Sequence, residues 1–206
     1  MGYDVYGLNP KQNTEPLPII AEFQDKDGWT DWATMTEDDK KQYFNAQDIY
    51  RKQNPGEYYR ANVWYWRPVW TFVCGACEDF LSDKDIEAGM SNSGTKISKT
   101  KSLKIASRLR VLDKQGVIQV WEDEMMVPFE KAQKNNDKVR KELNEFQKKM
   151  EKKHGSIVPA NYPKKDRKKW DSIYSKEDWS GSYPPSRQCI VEFGFFCEES
   201  GGFEIC

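Results

Sequence analysis

The sequence predicts an α+β protein, mainly helical, in which a small antiparallel sheet is covered by four or five helices. Three observations carry this. The ring-rich stretch Gly56–Phe80 (GEYYRANVWYWRPVWTFVCGACEDF) holds Trp64, Trp66 and Trp70, three of the eight tryptophans. Short strand-like segments stand near both ends of the chain, YDVYGL at 3–8 and FEIC at 203–206. Between them, Phe129, Ala132, Asn136, Val139, Leu143, Phe146 and Met150 alternate in steps of three and four, the mark of a long helix with a packing seam.

Composition narrows the field. The chain has 206 residues, 37% hydrophobic, 32% charged and 14% aromatic, so its core rests on rings more than on aliphatics. That length suits one domain, 1–206, with 129–180 as a basic helical arm plus loop. A net charge of −1 speaks against a general nucleic-acid or membrane-surface binder. The charge is uneven, however: residues 1–50 carry ten acids against four bases, and 130–169 carry fourteen bases against six acids. No apolar run reaches the roughly 18 residues of a membrane span. MGYDVYG has neither a basic region nor an apolar run, so no secretion signal and a cytoplasmic location are expected. Five cysteines, an odd number, argue against a disulfide framework there. The lone histidine, His154, removes the catalytic templates that need a placed imidazole.

Taken in order, 3–8 reads as a strand closed by Gly7 and Asn9-Pro10, and the segment through Pro16, Pro18 and DKDGWTDW reads as loop. Thr36 and Asp39 form a capping-box pattern for a helix over about 37–52, with Tyr43, Ala46 and Tyr50 inward. Asn54-Pro55-Gly56 turns the chain into a strand at 58–66, where alternation groups Tyr58, Arg60, Asn62, Trp64 and Trp66 on one face. Pro68 suits the first turn of a helix to Leu81. DKDIEAG can hold a short helical piece. Ser98 caps a helix to about Leu112 with Leu103, Ala106 and Leu109 inward. Residues 116–128 fit strand or helix, and 129–153 is the seam helix, with Asn136 its one polar position. Residues 155–182 read as loop with a helical turn near 166–174. Ser186 caps a last helix ended by Gly201-Gly202, and 203–206 joins the 3–8 and 58–66 strands.

Four segments, MGYDVYGLNP, NPGEYYRANVWYWRPVWTFVC, GTKISKTKSLKIASRLR and FGFFCEESGGFEIC, together resemble a family of functionally uncharacterised bacteriophage proteins, especially from cyanophages, with bacterial counterparts. They cover about a third of the chain. The resemblance implies an origin and a layout and carries no activity, cofactor or catalytic residue. Some members hold paired CxxC knuckles between the third and fourth segments, whereas residues 113–180 contain no cysteine.

The strongest candidate site is Arg60, Asn62, Trp64, Trp66 and Arg67, where guanidinium groups among rings can fork a carboxylate or phosphate. Pairing of Arg60 with Asp4 on a neighbouring strand explains the same residues structurally. Lys96, Ser98 and Lys99 crowd a helix start and can hold an anion. GMSNSGTK at 89–96 only approaches a phosphate-binding loop, because Lys and Thr are exchanged and no strand leads in. CGAC at 74–77 can be read as half of a zinc site with two of Cys189, Cys197 and Cys206, or as a redox pair, but its mid-helix place favours Cys74 and Cys77 as core thiols, and neither a metal nor a cofactor is expected. The basic 131–169 stretch has interspersed Glu and lacks the interleaved aromatics of single-strand binders, which argues against nucleic acid. The seam of the 129–153 helix packs on the chain's own domain or, alternatively, offers Val139, Leu143, Phe146 and Met150 to a partner or to a second copy. The expected function is that of a phage-type accessory protein, non-enzymatic, contacting a host or phage protein in the infected cell. A small-molecule or nucleotide-binding protein or enzyme centred on Arg60 is the alternative, and a virion component a third.

Overall fold

The computed structural model describes residues 2–15, 17–27, 29–91 and 94–206; Met1, Pro16, Gly28 and the Asn92-Ser93 pair of the GMSNSGTK stretch lie outside the described residues. The fold is mainly helical α+β. Four strands, β1 (Gly2–Gly7), β2 (Tyr58–Asn62), β3 (Thr95–Ile97) and β4 (Phe203–Ile205), make one antiparallel sheet in the order β2-β1-β4-β3. Among the described residues there are eight helices: α1 (Pro18–Glu22), α2 (Glu37–Gln53), α3 (Val63–Ala76), α4 (Asp83–Ala88), α5 (Lys99–Lys114), α6 (Val117–His154), α7 (Lys164–Tyr174) and α8 (Arg187–Glu199). The chain divides into two compact units, Met1–Val117 with Arg187–Cys206, and Ile118–Ser186.

In the first unit both chain ends meet the ring-rich stretch, as the sequence predicts. β1 lies between β2 and β4, and Tyr3 stacks on Trp66 at 5.4 Å. Trp66 stacks in turn on Trp70, and Phe193 of α8 meets both edge-on. β3 escapes the sequence reading because three residues are too few to show a period of two. Gly201 and Gly202 take the expected left-handed conformation, with φ of 63° and 97°.

The boundary between β2 and α3 differs from expectation. The strand stops at Asn62, so Trp64 and Trp66 are helical, and Pro68 lies inside the helix instead of in its first turn. The cause is local: Asn62 Oδ1 accepts from the amides of Trp64 and Tyr65, an N-cap that starts the helix five residues early. Helical spacing then buries Trp66, Val69, Trp70 and Val73 on one side. The helix ends at Ala76 and not Leu81, because Arg108 of α5 donates to the Ala76 carbonyl at 2.6 Å and pairs with Asp79 just beyond.

Other corrections have equally local reasons. The 9–32 segment contains α1, begun by Pro18 in its first turn. Leu103 is 43% exposed, and Ser102 and Ile105 take its expected place inside α5. The buried Ser102 hydroxyl is satisfied by the Cys197 carbonyl of α8 at 2.6 Å, a pairing no hydropathy pattern displays. By contrast, α2 begins with the predicted capping box of Thr36 and Asp39 and buries Tyr43 and Ala46.

In the second unit α6 absorbs the ambiguous 117–128 segment and runs 38 residues through Pro128. Pro128 has no N–H for the Glu124 carbonyl, and both residues are exposed, where water can take up the loss. The predicted loop at 155–182 holds α7 and two 3-10 turns, Pro159–Asn161 and Trp179–Ser182. The seam residues Val139, Leu143, Phe146 and Met150 pack with Tyr162, Ile173 and Trp170, so the chain covers its own seam. Asn136 is fully buried, and its amide exchanges two 2.8 Å hydrogen bonds with the Asp178 backbone. The one polar seam position therefore docks a loop of the same unit. Asn136→Leu would complete the apolar seam yet leave two backbone groups unpaired, at about 1–3 kcal/mol each. The expected result is a loss of about 2–4 kcal/mol in urea unfolding; a more stable leucine variant would mean that the amide is not an anchor.

Candidate functional site

The four segments that carry the resemblance supply the four strands, and they converge on one sheet. Alternation turns Tyr3, Val5, Ala61, Ile97, Phe203 and Ile205 into the core, where all are buried. The same alternation turns Asp4, Tyr6, Tyr58, Arg60, Lys96 and Glu204 to the opposite face. Register then aligns them. Asp4 lies across from Arg60, and Tyr58, Tyr6, Glu204 and Lys96 form one row across all four strands.

The polar groups of this face answer one another. Asp4 accepts a hydrogen bond from the Tyr58 hydroxyl and lies 3.9 Å from the Arg60 guanidinium. Lys96 stands 3.7 Å from Glu204. The rings of Tyr6 and Tyr58 meet at 5.2 Å, and the Arg51 guanidinium lies over the Tyr58 ring at 5.3 Å. Burial, reinforced by the bond to Asp4, pushes the Tyr58 phenol far above its ordinary range, so it remains a donor. Despite this pairing the face is open, with the Arg60 side chain 72% exposed and Tyr6 48% exposed.

The five predicted ligand residues divide among several environments. Arg60 faces outward beside Asp4, the internal partner expected for it. Asn62, exposed, caps α3. Trp64 and Arg67 are exposed on the first turns of that helix, whereas Trp66 is wholly buried and donates its indole N–H to the Gly89 carbonyl at 2.6 Å. Trp66 is thus in the core, apart from the four exposed residues. The predicted anion residues are likewise engaged or dispersed: Lys96 with Glu204, Ser98 as the N-cap of α5, and Lys99 exposed at its first turn. Their neighbour Lys101 pairs with the buried Asp85. Burial works against that carboxylate, but Lys101 and Ser82 hold it below its usual range.

Cys74 and Cys77 lie at the C-terminal end of α3, the end whose dipole disfavours a thiolate. Burial pushes them up to about 11 and about 12, and Cys197, fully enclosed, is raised as well. These are protonated thiols at neutral pH, poor nucleophiles and poor redox groups. Among the described residues no group of three His, Cys, Asp or Glu side chains could hold a metal ion, and no helix is long and apolar enough to cross a membrane. His154 contacts Asp166 at 3.0 Å, beside Lys153. A cleft between α5 and α8, lined by Ala106, Leu109, Val191 and Phe195, measures about 60 Å³, room for a few waters only.

Sequence reasoning missed Tyr6 and Glu204 as members of the open face. The signal for Tyr6 was available, since alternation within MGYDVYG puts it beside Asp4. For Glu204 it was not, because the register of β4 against β1 depends on chain ends some 200 residues apart. Comparison with protein-family models, curated proteins and solved structures finds no match, so the functional reading rests on the residues themselves.

Proposed function

We propose that this chain is a non-enzymatic accessory protein, of the bacteriophage type its four segments resemble, that acts by protein–protein contact through the open face of its sheet. One observation carries the reading: Tyr6, Tyr58 and Arg60 stand together on the outward face of the sheet, with Tyr6 and Arg60 exposed. Tyr, Trp and Arg are the side chains that dominate binding energy at protein interfaces. Hydrogen-bonded and ring-packed neighbours hold Tyr58 in place, which lowers the entropy lost when a partner docks. The mixed charge of the face suits a protein partner of mixed charge better than a uniformly charged polymer.

The test compares the wild-type chain with a Tyr6→Ala/Arg60→Ala variant as baits in cells that express it, with quantitative mass spectrometry of what is retained. A specific protein depleted at least about tenfold by the variant, while the unfolding midpoint stays put, supports the reading; hot-spot losses of 2 kcal/mol or more predict at least that. An unchanged retained set removes the sheet face as the contact surface.

A further inference from the structure

The second unit carries a different surface, which the linear sequence conceals. Lys131, Lys134 and Lys138 are exposed on one side of α6, at spacings that align them over about 10 Å of helix. Among the described residues, none of the three has a carboxylate within ion-pair distance, although Glu130 borders the row. Asp137, exposed one residue before Lys138, also borders the row, whereas the remaining acids nearby are engaged. Glu177 is nearly buried and faces Arg140 at 3.5 Å, and Glu142 takes Lys176 at 3.0 Å. Asp178 accepts from the Ser180 hydroxyl and amide, which hold it below the ordinary carboxylate range with some help from Lys131.

Trp179 stands on the wall of the same surface, beside Lys131 and Pro128, half exposed and braced edge-on by Tyr174 at 6.0 Å. Its position is fixed from below. Asn136 holds Asp178, Asn135 donates to the Lys176 carbonyl at 3.0 Å, and Gln133 donates to the Gly181 carbonyl. Gly181 sits so close to α6 that a Cβ would lie 2.9 Å from the Asn136 amide and 3.0 Å from backbone atoms of Ala132 and Gln133. Three amides and a glycine thus anchor a segment whose outward product is one half-exposed indole beside Lys131, the first lysine of the row.

A lysine row answers phosphates, and an exposed, braced indole answers the face of a base. Their combination is the recognition chemistry of single strands, in which stacking needs no base sequence and the charges follow the backbone. An acidic polypeptide would satisfy the lysines but would leave a rigidly held stacking ring without a purpose. We propose that Lys131, Lys134, Lys138 and Trp179 form a short track for single-stranded nucleic acid, with the lysines on successive phosphates and the indole stacked on a base. The aromatic element that the basic stretch lacks in sequence arrives from about forty residues downstream.

Fluorescence anisotropy of the full chain with labelled oligo-dT and oligo-rU of about 12 nucleotides tests this, since single-strand sites run from about 4 to 16. Three phosphate contacts predict a slope near −2 for log K against log salt. Trp179→Ala weakens binding by between about five- and a hundredfold, and Trp179→Phe, which keeps a ring, restores most of it. Lys131→Gln, Lys134→Gln and Lys138→Gln combined flatten the salt slope. The proposal is overturned by any of three results: no oligonucleotide binding, binding indifferent to Trp179→Ala, or a labelled poly-glutamate peptide binding more tightly than either oligonucleotide. Unchanged unfolding midpoints show that the variants remain folded, and should Trp179→Ala lower its midpoint, the lysine triple variant and Trp179→Phe decide the matter alone.

Discussion

Trp66→Ala is expected to lower the stability of the first unit by about 3–5 kcal/mol, the range for truncating a large buried ring. Trp66 has no solvent exposure; it is sandwiched between Tyr3 and Trp70 and meets Phe193 edge-on. Its indole N–H also anchors the chain just after α4, as that of Trp70 anchors the Ile86 carbonyl at 2.9 Å. The loss therefore combines apolar burial, ring–ring geometry and an unpaired buried carbonyl. Against a total of about 5–15 kcal/mol for a domain, it brings the unit close to unfolding. Trp64→Ala, two residues away on a residue 37% exposed, should cost about 1 kcal/mol or less. Urea unfolding of the two variants checks both numbers. Equal losses would mean that the helical face of α3 is assigned to the wrong indole.

That contrast marks where the sequence was legible. Wherever one local rule acts alone, the reading holds: the Thr36–Asp39 capping box, the Ser98 cap, the Gly201-Gly202 stop and the step of three and four through α6 are all visible without tertiary knowledge. The reading fails where two local rules compete. Tyr58–Trp66 satisfies both a strand's ring content and a helix cap at Asn62, and tertiary burial of Trp66 decides for the helix. It also fails where a long-range polar contact substitutes for an apolar one, as with Ser102 on Cys197 and Asn136 on Asp178. The candidate site was half legible for the same reason. The Asp4–Arg60 pairing follows from neighbouring strands, but the row through Glu204 to Lys96 needs the sheet order, and the meeting of Trp179 with Lys131 needs the docked loop.

Gly56→Ala should be among the most damaging small substitutions in the chain. Three backbone segments cross at this point: the end of β1, the turn into β2 and the last turn of α8. A Cβ on Gly56 would lie 2.3 Å from the Glu199 carbonyl oxygen and 2.4 Å from its carbon, and one on Gly7 would lie 2.1 Å from the Gly56 oxygen. Backbone cannot rotate aside as a side chain can, so the sheet edge and α8 must separate. Separation strains the ladder bond from the Gly7 amide to the Glu57 carbonyl, 2.9 Å long, and loosens Phe193 and Phe196 above the sheet. Overpacking of a flexible core costs about 1–3 kcal/mol, and a backbone collision belongs at or above that upper bound. Gly75→Ala supplies the opposite sign. It lies in the last turn of α3 with nothing within 4 Å of a Cβ, so alanine should stabilise by about 0.5–1 kcal/mol through lower unfolded-state entropy. Thermal unfolding of the two variants separates them by several degrees in opposite directions. Gly7→Ala combined with Gly56→Ala should cost less than the sum of the two, because one displacement of the same crossing relieves both collisions.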